Sequence, residues 1–302
     1  MNIVILTYAS DKLMVKGIDR LTEEGTKRGH KILRVRYNDC SLAIKNNNPQ
    51  VIFRGEKLEN IDAVIPWIIQ GEFHYGLDVI NQFESMGVFV TNGSQAFNIA
   101  NNKWRTAQIL AKKGINTPDT FFSNNTKSMN DYIGIMHGQN IIIKILDEWA
   151  TKGRGVLLAD SKLKAETIVC DLEDNGKNCI IQEFIEESRG TDIRAYVVSN
   201  QVVASMQRKA KEGEYRSNLH AGGSGKPIQL TDAENQLVVA ASGAVGLSTA
   251  GVDIMRTKRG PAVIELNASG DFGIEEVTGV NVANKIIEFI ENSCKAKNNG
   301  GR

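Results

Sequence analysis

The 302-residue chain is most easily placed by what it lacks. It has four cysteines, Cys40, Cys170, Cys179 and Cys294, and none stands in a CxxC pair or at zinc-ligand spacing. Scattered thiols of this kind fit a reducing, cytoplasmic setting. The opening stretch MNIVILTYAS is too short to cross a bilayer and has no signal-peptide layout, so no membrane partner is expected. There is no excess of either charge. The 36 basic and 35 acidic side chains leave a formal +1, so no global field draws nucleic acid and any basic site is local. No GxGxxG follows the first strand pattern, so a dinucleotide site there is unsupported. No internal repeat is present.

What remains is an ordinary globular composition, 41% hydrophobic and 24% charged, long enough for two or three packed units. Residues 1–95 alternate strand and helix: NIVILTY, a helix from Val15 to about Lys27 stopped by Gly29, KILRVRY, IDAVIPWI, YGLDVINQFESMG and VFVTN. That alternation predicts an open, mostly parallel α/β layer. Residues 96–185 are smaller and more mixed. They start with a helix from Asn98 and end in the strand CIIQEFI, with Ser161 as a helix N-cap between. Residues 186–292 open with two alternating runs joined at Ser199-Asn200. A capping-box helix at Thr231 and Glu234, a hairpin and a closing helix follow. Residues 293–302, polar and glycine-rich, read as a frayed tail.

The hairpin, GVDIMRTKRGPAVIELNAS, places Asp253, Glu265 and Asn267 in apolar, β-branched runs. Glu265 and Asn267, two apart, share a strand face. A three-residue turn with Gly260 left-handed pairs Asp253 opposite Glu265. Two buried carboxylates repel, and a hard cation such as magnesium resolves the conflict with waters or phosphate oxygens as its other ligands. Ordinary ion pairs with Arg256 or Lys258 are the alternative.

A metal open to phosphates calls for phosphate-binding cations. Lys144 sits inside the apolar run NIIIKIL, which is costly unless its ammonium meets an anion or snorkels from a strand edge. TKGRGV brings Gly153 and Gly155 among basic residues, suited to cradle a polyphosphate or to make a plain turn. Lys103 is a third candidate. CIIQEFI ends in Gln182-Glu183-Phe184-Ile185, which reads either as a strand running into a loop or as a hinge offering backbone groups to adenine between Phe184 and Ile185. The stretch 208–224 gathers Arg208, Lys209, Lys211, Arg216 and His220 before a Gly-Gly-Ser loop, which reads either as a solvated face or as a loop closing over substrate.

With these residues in hand, the chain resembles ATP-grasp ligases, and among them the RimK-like amino-acid ligases, over essentially its full length. The specific segments are NKWRTAQILAKKGI, QEFIEESRGTDIRAYVV, RKAKEGEYRSNLHAGGS and AGVDIMRTKRGPAVIELNAS. The resemblance implies an α/β (α+β) ATP-grasp fold, with an N-terminal open parallel α/β domain and two α+β subdomains sandwiching ATP. It implies that Lys103 and Lys144 contact ATP phosphates, that Glu183 and Phe184 flank adenine, and that Asp192 holds the ribose. Arg216 and Asn218 match positions near the phosphates and metal; Asp253, Glu265 and Asn267 match magnesium ligands, with manganese as a substitute. Family members are often oligomers, so a homo-oligomer is expected.

In this reading a carboxylate attacks the γ-phosphate and an amine then attacks the acyl phosphate. Arg194, on the strand face of Asp192, is assigned to the acyl phosphate or oxyanion, with Arg216 assisting. No histidine stands out as the base; His220 reads either as that base or as an exposed loop residue. Partners are a small amino acid and an amine or carboxylate acceptor, with a peptide or protein tail among the options. Relatives attach glutamate to a ribosomal protein, extend coenzyme tails or close peptide rings. A ligase joining two small molecules, and a non-catalytic ATP-binding protein, are the rivals. Three stretches depart from the near relatives: DEWATKGRGV, ASGDFGIEE and PWIIQGEFHYG. The resemblance implies that they face the acceptor side, where the charges of Asp271 and Glu275 would favour a cationic or amine-bearing acceptor.

Overall fold

The computed structural model describes residues 1–8, 12–68, 73–146, 155–217, 219, 222–270 and 272–300. Gly153, Asn218, His220 and Asp271 lie outside the described residues.

The N-terminal layer runs β1 (Asn2–Thr7), α1 (Lys12–Lys27), β2 (Lys31–Arg36), β3 (Cys40–Lys45), β4 (Asn48–Phe53), β5 (Glu56–Lys57), β6 (Ala63–Trp67), α2 (Phe73–Ser85) and β7 (Phe89–Val90). Strands β2-β1-β6-β7 form the expected parallel sheet. Gly29 ends α1 with φ +81, as expected. A parallel sheet needs both faces covered, hence the continuous apolar runs in β1 and β6. On one face Ile3 and Ile5 pack with Ile18 and Leu21 of α1; on the other Val4 and Leu6 pack with Val79, Ile80 and Phe83 of α2.

A small antiparallel sheet, β3-β4-β5, interrupts the alternation and was not expected from the pattern. Its signal is present in the chain: Asn46 and Asn47, with φ of 51° and 61°, make a two-residue turn between Lys45 and Asn48. Asparagine tolerates these angles at modest cost, and such turns match the twist of a hairpin.

The middle segment runs α3 (Ser94–Ala100), α4 (Lys103–Lys112), β8 (Thr120–Phe122), α5 (Thr126–Ile135), β9 (Ile141–Ile145), β10 (Val156–Ala159), α6 (Lys162–Asp174) and β11 (Cys179–Glu183). The single helix expected from Asn98 is split. Asn102 caps α4, its side chain accepting from Arg105 N at 2.9 Å, so Lys103 begins a new helix. The sheet order is β10-β9-β11-β8, all antiparallel. Ile141, Ile143, Cys179 and Ile181 face α5 and α6. By the period of two, Ile142, Lys144 and Gln182 face the other way.

The last segment runs β12 (Thr191–Val198), β13 (Gln201–Lys209), β14 (Ser224–Pro227), α7 (Asp232–Val245), β15 (Thr249–Thr257), β16 (Gly260–Asn267), α8 (Gly273–Thr278) and α9 (Val282–Gly300). Its sheet is β14-β13-β12-β15-β16. Both halves of the capping box at Thr231 and Glu234 form, at 3.3 and 2.9 Å. Helix α7 covers Ile193, Ala195, Val252 and Ile254. The opposite face carries Asp192, Arg194, Arg208 and Asp253.

The chain end differs from the frayed tail expected after residue 292. Helix α9 continues to Gly300, and Ile286, Ile287, Ile290 and Cys294 join the core of β1, β6 and α1. Cys294 Sγ lies 3.7 Å from the Asp62 carbonyl. The apolar spacing at 286, 287, 290 and 294 fits one helical face, and it outweighs the polar composition that follows.

Candidate active site

Two β-bulges place the charged side chains. In β15–β16 the loop is two residues, with Thr257 opposite Gly260, not the three-residue turn expected. Gly260 is left-handed as expected, at φ +100. A two-residue turn alone would set Asp253 against Ile264. A register shift between Asp253 and Ile254 leaves Ile264 without an opposite residue and brings Glu265 across from Asp253. In β12–β13 a shift between Tyr196 and Val197 does the same. It leaves Val203 unmatched and sets Asp192 opposite Arg208.

The result is a charged floor. Arg194 and Asp253 are directly opposite, with Nε to Oδ1 and Nη2 to Oδ2 both at 2.7 Å. Arg208 grips Asp192 at 2.7 and 2.6 Å and reaches Asp253 Oδ2 at 3.0 Å. Burial works to raise the Asp253 carboxyl, but the Arg194 and Arg208 guanidiniums outweigh it and hold the group below its ordinary value. Glu265 is more open, its side chain 41% exposed, with Lys103 Nζ at 3.9 Å.

A cavity of about 300 Å³ lies over this floor. Every described candidate residue except Gly155 borders it: Lys103, Lys144, Glu183, Phe184, Asp192, Arg194, Arg216, Asp253, Glu265 and Asn267. Gly155 is one residue away and accepts from Ile145 N at 2.8 Å. Lys144, facing the cavity from β9, is buried; desolvation lowers its ammonium to about 8, with Lys103 pressing the same way and Glu265 and Asp253 opposing. Among the described residues its one hydrogen-bond acceptor is the Ile264 carbonyl at 3.5 Å. That leaves a buried ammonium poorly paired and aimed where an anion can sit.

The alternative expected for the hairpin acids is overturned in its partners. Arg256 pairs with Glu234 at 2.6 Å, and among the described residues the ion pairs of Asp253 run to Arg194 and Arg208, not to Arg256 or Lys258.

The donors fit a hard cation. The Asn267 side-chain nitrogen is buried without a partner among the described residues. The two ends of a carboxamide exchange by rotation, so this orphan can present its oxygen. It stands opposite Gly251, beside the Asp253–Glu265 pair. A carboxylate offers about four lone-pair directions. Arg194 and Arg208 together use three on Asp253, so Oδ1 keeps one. Two carboxylates and a carboxamide are an oxygen set of the kind magnesium takes.

At the far end the hinge is clamped. Glu183 accepts from Asp119 N at 3.2 Å and from Arg259 Nη2 at 2.5 Å. The Arg189 guanidinium lies 4.8 Å over the Phe184 ring. Arg216 bonds Glu214 at 2.9 Å. Asp192, expected at a ribose, has both oxygens engaged by Arg208 and keeps only its second lone pairs for a sugar. Asn92, buried, accepts from Ser248 N and Thr249 N at 2.9 and 3.1 Å and donates to Ala268 O at 3.0 Å. It ties the N-terminal layer to the ends of β15 and β16.

Arg208, Arg259 and Asn92 were not among the expected site residues. Arg208 was visible only as part of a basic run. Its pairing depends on the Val203 bulge, and nothing in the chain's alternation marks that bulge.

A cavity between two antiparallel sheets, one offering a buried lysine and a hinge, the other a carboxylate floor, defines an ATP-grasp ligase. The RimK-like ATP-grasp domain matches residues 100–290, and the RimK PreATP-grasp domain matches residues 1–97. The chain belongs to this RimK-like ATP-grasp family and is an ATP-dependent amino-acid ligase. A probable alpha-L-glutamate ligase of Vibrio vulnificus (strain YJ016) is 42% identical over 281 residues, 93% of each chain. One of Picosynechococcus sp. (strain ATCC 27264 / PCC 7002 / PR-6) is 42% identical over 276 residues, 91% of each. Among solved structures, the ATP-grasp ligase PsnB complexed with a phosphomimetic variant of its minimal precursor, Mg and ADP superposes with a TM-score of 0.74. It is 18% identical and covers 96% of this chain and 98% of its own, a likeness of fold. No described helix is long and apolar enough to cross a membrane.

Proposed function

We propose that the chain couples ATP cleavage to amide-bond formation through an acyl phosphate, with L-glutamate as the amino acid joined. One observation carries this reading: Lys103 and Lys144 from the middle segment and Asp253, Glu265 and Asn267 from the last border one cavity. The glutamate assignment is supported by the relatives, which carry that name at 42% identity.

Phosphoryl transfer needs positioning and neutralised charge more than a protein nucleophile. Lys103 and Lys144 hold the phosphates. Phe184 and the backbone around Glu183 flank the adenine. Asp253, Glu265 and Asn267 would hold magnesium, with manganese as a substitute, and the ion supplies charge neutralisation at the phosphates. A substrate carboxylate oxygen attacks the γ-phosphorus, the bond to ADP breaks, and an acyl phosphate forms. The amine nitrogen then attacks the acyl carbon, its proton leaves to a base, and phosphate departs. Arg194 and Arg216 both line the cavity, which supports a role for them at the acyl phosphate and its oxyanion, where fixed cations act most strongly. Gly155 and the neighbouring Gly153, with Asn218, complete the expected nucleotide set. An amine-bearing peptide or small molecule is the acceptor, and a homo-oligomer is the expected assembly.

Hydroxylamine intercepts acyl phosphates as hydroxamates. Incubation with ATP, magnesium, L-glutamate and hydroxylamine is expected to yield ADP and glutamyl hydroxamate in equal amounts. Production of AMP and pyrophosphate instead would sink the acyl-phosphate route. Hydroxamate from a different amino acid, in a screen of all twenty, would replace glutamate.

A further inference from the structure

Asp253 is needed by a cation, yet two guanidiniums already hold it. The two are not equivalent. Arg208 is 3% exposed and held by two hydrogen bonds to Asp192, one from Nε and one from the same Nη2 that reaches Asp253. Swinging it away from Asp253 would also break both bonds to the buried Asp192 carboxylate, which is costly. Arg194 has no such second anchor: its hydrogen bonds among the described residues run to Asp253 alone. Both arginines border the cavity, so what separates them is this second anchor.

The strand beside Arg194 carries no side chain at Gly251, where the Gly270 backbone also lies near, 3.9 Å from the position a Cβ would take. Gly251 lies two residues before Asp253 on the same strand face, opposite Asn267. A Cβ there would stand 4.0 Å from Arg194 Nε and 3.7 Å from the Asn267 Cβ. With hydrogen in place of a side chain, the guanidinium has a path over the strand toward Asn267.

We propose that Arg194 is an exchangeable positioning residue: it caps Asp253 until a divalent cation arrives with the nucleotide, then releases the carboxylate and turns to the reacting carboxyl group. This rests on the nucleotide reading above and deepens it. Adding a dication next to two guanidiniums on one carboxylate is repulsive, and only Arg194 is free to relieve that. Arg208 stays and keeps Asp253 in place. The consequence is an order of events. A substrate carboxylate finds a free guanidinium only after the cation has bound, so the acyl-accepting cation is assembled by the nucleotide. A state that must be vacated before binding lowers apparent affinity, and removing the competitor restores it.

The test is calorimetric titration of ADP into the full chain, with magnesium and with EDTA. The ratio of the two dissociation constants is the gain due to the metal. In R194M the competitor is gone, and this ratio is expected to rise about threefold or more over wild type. ADP affinity in EDTA should stay within about twofold. R194K keeps the charge but loses the two-pronged grip, so its ratio should fall between the two. A ratio in R194M equal to or below wild type overturns the exchange. Should R194M fail to fold by circular dichroism, the same comparison is made with R194K, and an unchanged ratio there overturns it equally. If the wild type binds no ADP even with magnesium, the nucleotide reading itself fails, and the exchange with it.

Discussion

Asp192 and Arg208 stand directly opposite one another on β12 and β13, joined by two hydrogen bonds of 2.7 and 2.6 Å, because Val203 drops out of the pairing. Both side chains are buried. Burial works to lower the Arg208 guanidinium, but Asp253 and Asp192 outweigh it and leave it raised. Removing one member of such a group strands the others without compensation. Arg208→Met is expected to lower stability by about 3–5 kcal/mol. Urea unfolding followed by circular dichroism checks this. A loss below about 1 kcal/mol would mean the cluster is solvated and not a buried network.

Glu265 contributes differently. Its side chain is 41% exposed and its one ion-pair partner among the described residues, Lys103, is 3.9 Å away, so it holds little of the fold together. Glu265→Gln keeps the shape and loses the charge. ADP release should fall by about 10²-fold or more, with the melting temperature within a few degrees of wild type. Near-normal ADP release would remove Glu265 from the metal set.

Lys144 gives a pH signature. Its ammonium sits at about 8 in the free chain, lowered by burial. Bound phosphates favour the charged form, so nucleotide binding takes up a proton where the free group has lost one. Affinity for ATP should therefore be flat well below pH 8 and fall, by up to about tenfold per unit, above it. Lys144→Met should bind more weakly and lose that slope. Calorimetry between pH 6.5 and 9.5, in buffers of different ionisation heat, reads both effects.

Arg259 clamps the hinge from the β15–β16 turn, holding Glu183 at 2.5 Å and Asp119 at 3.5 Å. Arg259 is half exposed, so Arg259→Ala should change stability by less than about 1 kcal/mol. Its effect should fall on the nucleotide end of the cavity: KM for ATP raised by about threefold or more, kcat near wild type. A drop in kcat with KM unchanged would place the role of Arg259 elsewhere.

Much of the fold was legible because the relevant signals are local. The runs in β1 and β6, the glycine after α1, the caps at Ser161 and Thr231 and the turn at Ser199-Asn200 each act within a few residues. What was missed has a physical reason in each case. The β3–β4 hairpin needed two asparagines to be read as left-handed turn residues. The break before α4 needed Asn102 to compete as a cap inside a helical pattern. The ordered end of α9 depends on an N-terminal sheet that lies nearly the whole chain away.

The site divides in the same way. Its chemistry follows from residue types in order: an isolated lysine in an apolar strand, two acids and a carboxamide in an apolar hairpin, a basic stretch ahead of glycines. Those choices are costly in water-free surroundings, so they are readable without coordinates. Which charge meets which was decided only on folding. A strand turns over every residue, so one bulged position at Val203 or Ile264 sends a whole row of side chains to the other face. In the bulged registers Ile193, Ala195, Val252, Ile254 and Val263 pack with α7 on one face, and the arginines that hold Asp253 lie on the other.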